Sequence, residues 1–193
     1  MMTDRARIDW VTWWAGGCVL QAAPGWDDKH GFTPATRRLE LFIHANPAAV
    51  CRCFDLPMQI PPEPQPSLMR IGELNVGQRT QILHLMAAVC LPSRHRREIS
   101  AERQIWCRRL AKALRPGLWL PDCCTFAHET DALMLLRARY GEACWPRLRL
   151  LYPRGLVERV ADFKHPLPAG RLNALCDALI WKVAAPERIA THS

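Results

Sequence analysis

Lysine is scarce in this sequence, as are long apolar runs, glycine-rich loops and alternating stretches, and each shortage excludes something. No segment approaches the roughly 20 consecutive apolar residues needed to span a bilayer. There is no G-x-S-x-G elbow, no phosphate-cradling glycine loop and no H-E-x-x-H pair, so the most recognisable hydrolase, nucleotide and zinc-protease signatures are missing. No stretch alternates apolar and polar residues as a half-buried strand does, and neither an internal repeat nor a nucleotide-binding βαβ pattern emerges. Because lysine is scarce, the formal charge of +8 is carried mostly by arginine. Arginine makes planar, multidentate contacts and stacks on aromatic rings, which a lysine ammonium does less well. A basic balance suits either nucleic acid or an acidic protein surface.

What is present is a globular composition: 193 residues, 49% hydrophobic and 23% charged. That is enough for one domain with a real core, or one domain with a small appended lobe. Nine cysteines, an odd number, are spread along the chain. Most fall inside apolar helical patterns, which reads as reduced thiols packed as small apolar side chains in a reducing compartment. Near the N-terminus, Arg5 and Arg7 precede an apolar stretch from Trp10 to Leu20. It is rich in tryptophan and carries Thr12, Gly16 and Gly17, which fits a core or an interface better than an export signal. The stretch Ala15-Gly16-Gly17-Cys18 lacks the aliphatic residue a lipoprotein signal needs. A cytoplasmic location is expected.

Periodicity predicts an all-α fold of about six to eight helices. Residues 1–55 form an N-terminal lobe: an irregular, Trp-rich lead-in, then two short helices opened by Thr33-Pro34 and Asn46-Pro47. Leu39, Phe42 and Ile43 are expected to face inward. Residues 56–68 form a Pro-rich connector, since five prolines between Leu56 and Pro66 rule out helix and sheet interiors. It is the expected boundary with the main helical body at 69–186, and 187–193 is a flexible tail. Within the body, a helix over about 76–91 faces inward through Ile82, Leu85, Met86 and Val89. One over about 99–115 uses Ile105, Trp106, Leu110, Ala113 and Leu114. A third over about 124–140 uses Phe126, Leu133, Leu136 and Tyr140, with Gly141 as its C-terminal left-handed residue. A shorter helix covers about 142–152, with Trp145, Leu148, Leu151 and Tyr152 on its apolar side. The last helix, from Pro168 to Ala185, carries the stripe Leu172, Leu175, Cys176, Leu179, Ile180 and Val183.

Reactive chemistry is thinly signalled. Cys51 and Cys53 lie two apart on a helix and so point in different directions. Cys123, Cys124 and His128 supply half a zinc site at best, because structural zinc normally takes two pairs. No metal, cofactor or catalytic residue is expected. His84, on an apolar helix, reads as a core-edge histidine, and Asp122, Glu129 and Asp131 read as first-turn acids favoured by the helix dipole. The chain is therefore expected to bind rather than catalyse. The candidate interface residues are Arg94, Arg96, Arg97, Arg103, Arg108, Arg109 and Lys112 on one basic face, and Arg147, Arg149 and Arg154 on a second. Trp13 and Trp14 join them, because tryptophan and arginine dominate interface energetics. A basic helical nucleic-acid-binding protein and an enzyme using a Cys/His pair are the alternatives. Glu98 and Glu102 break up the basic run, and no nucleic-acid module signature appears, so nucleic acid is not the expected partner.

The C-terminal third narrows the reading. The stretch Arg147-Leu148-Arg149-Leu150-Leu151-Tyr152-Pro153-Arg154, followed by Leu167-Pro168-Ala169-Gly170-Arg171-Leu172-Asn173-Ala174-Leu175-Cys176-Asp177-Ala178-Leu179-Ile180-Trp181, resembles the SctK/YscK family. These are accessory subunits of the type III secretion sorting platform. The resemblance implies a cytoplasmic, helical, non-catalytic adaptor at the cytoplasmic face of the inner membrane. Its partners would be the cytoplasmic domain of the inner-membrane ring protein and an SctQ-type pod protein, through which the ATPase complex is recruited. It offers no catalytic residues.

Overall fold

The stripe of the C-terminal helix is buried along its whole length: Leu172, Leu175, Cys176, Leu179, Ile180 and Val183 are all in the core. The computed structural model describes residues 3–26, 37–91, 99–161 and 165–185, with backbone only for 37–39. Among these residues every regular element is helical. In chain order they are α1 (Asp4–Trp14), α2 (Arg37–Ala45), α3 (Pro47–Cys53), α4 (Pro66–Glu73), α5 (Val76–Cys90), α6 (Ala101–Leu114), α7 (Glu129–Leu148), α8 (Arg154–Val157) and α9 (Ala169–Ala184). Short 3-10 turns lie at Gly17–Gln21, Pro116–Leu118 and Arg149–Leu151.

Helix α5 is the hub, packed against α6, α7 and α9. Its start is set by a reciprocal cap: Asn75 accepts from the Gln78 N–H while the Gln78 side chain accepts from the Asn75 N–H. The predicted inward residues Ile82, Leu85, Met86 and Val89 are buried, and so are Leu83, Ala87 and Ala88. A helix apolar on nearly every side belongs in the middle of a bundle.

Several expectations need correcting. The Trp-rich lead-in is a helix. Thr3 caps α1, and Trp10, Trp13 and Trp14 are buried on one face, with Trp10 and Trp13 stacked at 5.6 Å between ring centroids. Helix α6 is peripheral: only Cys107 is buried, Ile105 and Ala113 are exposed, and Trp106, Leu110 and Leu114 are half-buried. On α2, Ile43 is buried but Phe42 is 40% exposed. Phe126 is buried but precedes its helix, which starts at Glu129 because Asp131 accepts from the Phe126 N–H at 2.6 Å and fixes the preceding turn. Gly141 has the expected positive φ (72°) and is non-helical, with ψ 173°, so α7 is two helical arms that meet there at a kink, as the expected end of one helix and start of the next at 141–142 imply. Arg137 bridges the kink, donating twice to Glu142. The Thr33-Pro34 cap and the 187–193 tail lie outside the described residues.

The Pro-rich connector is not a boundary. One continuous core runs from Trp10 on α1 to Val183 on α9, with residues from both sides of the connector in it. Residues 57–65, which form neither helix nor strand, run over the surface as a strap, and Pro66 is the first residue of α4, where its missing N–H costs nothing. The strap's carbonyls point inward: Trp14 donates to Gln59 O (2.9 Å), Trp10 to Pro62 O (3.0 Å) and Arg147 to Pro57 O (3.1 Å).

The most demanding contact is Arg79 on α5, which is only 5% exposed. Its guanidinium donates to Ile71 O (3.1 Å), Gly72 O (2.7 Å), Gln21 O (2.6 Å) and Leu151 O (3.2 Å). No carboxylate pairs with it among the described residues. The acceptors are instead the carbonyl ends of three helical segments: α4, the 17–21 turn and the 149–151 turn. Helix C-termini expose unsatisfied C=O groups and a partial negative charge, so three of them together replace a counter-ion. Burial lowers the Arg79 pKa from its ordinary value, but an arginine remains protonated at any ordinary pH.

Removing this hub is expected to cost more than an ordinary surface change. Arg79→Met should destabilise by about 3–5 kcal/mol, since it strands several carbonyls, comparable to the roughly 2–5 kcal/mol for Leu175→Ala in the core. Arg79→Lys should recover only part, because an ammonium cannot fan out to four acceptors. Urea titration measures all three. An Arg79→Met midpoint matching wild type would contradict the assignment.

Candidate functional site

Reactive groups come first. Burial pushes the thiols of Cys18, Cys124 and Cys176 up to about 12 and that of Cys107 up to about 11, partly opposed by Arg147 at Cys18 and by Arg103 at Cys107. Thiols held protonated are poor nucleophiles and poor metal ligands. Cys51 is buried and Cys53 half-buried, as their two-residue spacing on a helix implies. Cys124 lies in a loop and His128 is the exposed residue before α7, so the two do not share a helix face. Among the described residues no group of three or more His, Cys, Asp or Glu is placed to hold a metal ion. No helix among them is long and apolar enough to cross a membrane. His84 contacts Glu129 at 2.7 Å and ties α5 to the start of α7.

The predicted interface residues divide sharply. Arg94, Arg96 and Arg97 lie outside the described residues. Arg108, Arg109 and Lys112 are exposed on α6, with Arg103 half-buried beside them. Trp13 and Trp14 are core residues, 4% and 2% exposed, and cannot serve as docking side chains. The second arginine face is also largely internal. Arg147 is 1% exposed, lies 3.7 Å over the Trp14 ring, and donates to Trp14 O and Pro57 O. Burial lowers its pKa. Arg149 donates to Pro146 O and to Phe54 O at the end of α3. Both use their donors to hold backbone segments together, a use of arginine that a helical wheel cannot distinguish from surface display.

Arg154 differs. Among the described residues it pairs only with Glu158, one turn away at 2.8 Å, and it lies 5.8 Å from the Trp26 ring centroid, with Arg149 at 5.1 Å from the same ring. Trp26 is fixed by donating to Tyr152 O at 2.8 Å. These residues line a cleft of about 260 Å³ together with Phe54, Asp55, Trp145 and Val157.

Beside the cleft runs the strap. Its inward carbonyls leave Met58 and Ile60 pointing out, 70% and 91% exposed. Both side chains stand in solvent, two residues apart on the strap. Sequence reading passed over both because it took the segment as a spacer. The available signal was that apolar side chains between prolines can join no helix stripe.

The thiol assignments have a direct check. Brief iodoacetamide treatment of native protein should modify exposed Cys123 first and leave Cys18 and Cys176 untouched until guanidinium unfolds the chain. Labelling of Cys18 or Cys176 in native protein would contradict their burial. For kinship, a scan against protein-family models found no match, and neither the curated proteins nor the solved structures gave one.

Proposed function

We propose that this chain is an adaptor subunit of a bacterial type III secretion apparatus, the role its C-terminal third suggests by resemblance to the SctK/YscK family. In this reading it links the cytoplasmic domain of the inner-membrane ring protein to an SctQ-type pod protein at the cytoplasmic face of the inner membrane. It acts by protein–protein binding, not catalysis. The observation that carries the binding reading is the strap: two large apolar side chains held out in water on a backbone tied down by Trp10, Trp14 and Arg147. Burying an aliphatic side chain of this size is worth about 1.5–3 kcal/mol. A backbone already fixed loses little entropy on docking, which is how a few side chains come to dominate an interface. The exposed Arg108, Arg109 and Lys112 on α6 supply a basic surface that steers toward an acidic partner.

Ile60→Asp should weaken capture of one of the two partners by about thirtyfold or more, the size expected of a hot spot. The thermal melt should be unchanged, because Ile60 contributes nothing to the core. Unaltered capture of both partners would remove the strap from the account.

Among the described residues, the basic face of α6 is what favours nucleic acid. The two readings separate on salt. Phosphate binding falls steeply between low and physiological salt and shifts any duplex on a gel. The adaptor reading expects no shift at physiological salt, and reversing Arg108 and Arg109 to Glu should slow association with a protein partner. A salt-sensitive duplex shift abolished by that reversal would favour nucleic acid instead.

A further inference from the structure

The cleft beside the strap has features that point to a particular occupant. At about 260 Å³ it is smaller than the roughly 300–1,000 Å³ typical of small-molecule pockets, so it holds one or two side chains and not a cofactor. Its aromatic rings are not open stacking platforms. Trp26 carries Arg149 and Arg154 on its ring, and Trp145 carries Arg137 at 5.1 Å. A nucleobase stacking on either ring would have to share it with a guanidinium already there. What the cleft offers is a guanidinium beside apolar walls from Phe54, Val157 and Trp26.

The charges facing it are Arg149, Arg154, Asp55 and Glu158. They are committed to different degrees. Arg149 is occupied by the carbonyls of Pro146 and Phe54, and Asp55 offsets its charge. Arg154 is held only through Nε, by Glu158. Among the described residues its two terminal nitrogens make no hydrogen bond. Glu158 is itself 59% exposed, and an ion pair one turn apart at a surface is among the weakest in a protein. An incoming carboxylate can therefore replace Glu158 at Arg154 at little cost, gaining a forked guanidinium contact that the Glu158–Nε pairing leaves unused.

We propose that the cleft receives an acidic segment of a partner protein, a carboxylate side chain on Arg154 with a neighbouring apolar side chain against Phe54 and Val157, and that Glu158 is an internal placeholder for that carboxylate. The proposal rests on the adaptor reading for the source of the segment. The wall of the cleft leads in sequence into the strap, since Cys53, Phe54 and Asp55 line the cleft and Met58 and Ile60 follow within a few residues.

The experiment is fluorescence anisotropy on the full chain with a labelled octapeptide containing four glutamates around a central leucine. Its counterpart with glutamines in place of the glutamates is the control. Arg154→Gln should weaken binding of the acidic peptide at least about tenfold, the loss expected of a charge-assisted contact. Glu158→Gln should strengthen it about twofold by removing the competitor. Neither change should move the thermal melt by more than a degree or two. Equal binding of the glutamine peptide, unchanged binding in Arg154→Gln, weakened binding in Glu158→Gln, or displacement of the peptide by a short duplex DNA better than by unlabelled peptide would each overturn the proposal. The strap variant Ile60→Asp keeps the two ideas apart. If it loses a protein partner while the peptide binds neither protein, the adaptor reading stands and the cleft assignment falls. If the peptide binds as described while Ile60→Asp captures both partners normally, the strap is the part that fails.

Discussion

A buried guanidinium with no acid paired to it among the described residues organises this fold. Taking a charge out of water costs several kcal/mol unless every donor is satisfied and a compensating charge is near. Arg79 meets both conditions through backbone alone, because three helical segments end around it and turn their last carbonyls toward one cation. The arrangement constrains the chain strongly. Gln21, the adjacent pair Ile71 and Gly72, and Leu151 come from three segments distant in sequence, and each segment must end at a place from which its carbonyls reach α5. A strand-like or slipped arrangement of any one leaves acceptors unpaired in the interior, at a cost that apolar burial alone does not impose.

The same use of arginine recurs closer to the surface. Arg147 joins the end of α1 to the strap, and Arg149 joins the second arm of α7 to the end of α3. Arginine suits this work because its five donors lie in a plane and diverge, and its face packs on a ring, as Arg147 does on Trp14. The preference for arginine over lysine in the composition thus has an internal explanation as well as an external one. Arginines spent inside are unavailable outside. Among the described residues Arg5, Arg7, Arg52, Arg108, Arg109, Arg115, Arg159 and Arg171 remain exposed, with Lys112 beside the α6 pair, and Arg154 at the cleft is half-buried with only a weak partner.

The sequence was most legible where one physical rule acted alone. Helix α9 has a single apolar stripe against a single core, so spacing located every buried residue of it. The repeat Ile82, Leu85, Met86 and Val89 marked α5 in the same way. Legibility failed where two rules competed. In α1, Trp10, Trp13 and Trp14 share a buried face with Ile8 and Val11 exposed beside them, so the apolar content surrounds the helix and blurs its period. In the strap, proline correctly forbade helix, but nothing local says that such a segment is pinned by tryptophan and arginine donors from elsewhere. The arginines at 147 and 149 were misread for the same reason: whether a charged side chain faces water or a carbonyl depends on partners far away in sequence. Of the candidate site, the arginine at 154 was legible, whereas Met58, Ile60 and Glu158 acquire meaning only from the tertiary arrangement.

The functional reading depends on rigidity at one edge of the molecule. Exposed apolar residues on a mobile loop are common and mean little, whereas the same residues on a fixed backbone are a prepared surface. Backbone 15N relaxation at Met58 and Ile60 tests this most directly. Held by Trp10, Trp14 and Arg147, both amides should show order parameters near the roughly 0.85 of rigid backbone, close to those of α5. Values below about 0.6 would mean that the segment moves freely on the fast timescale, and would contradict the claim that it is presented for docking.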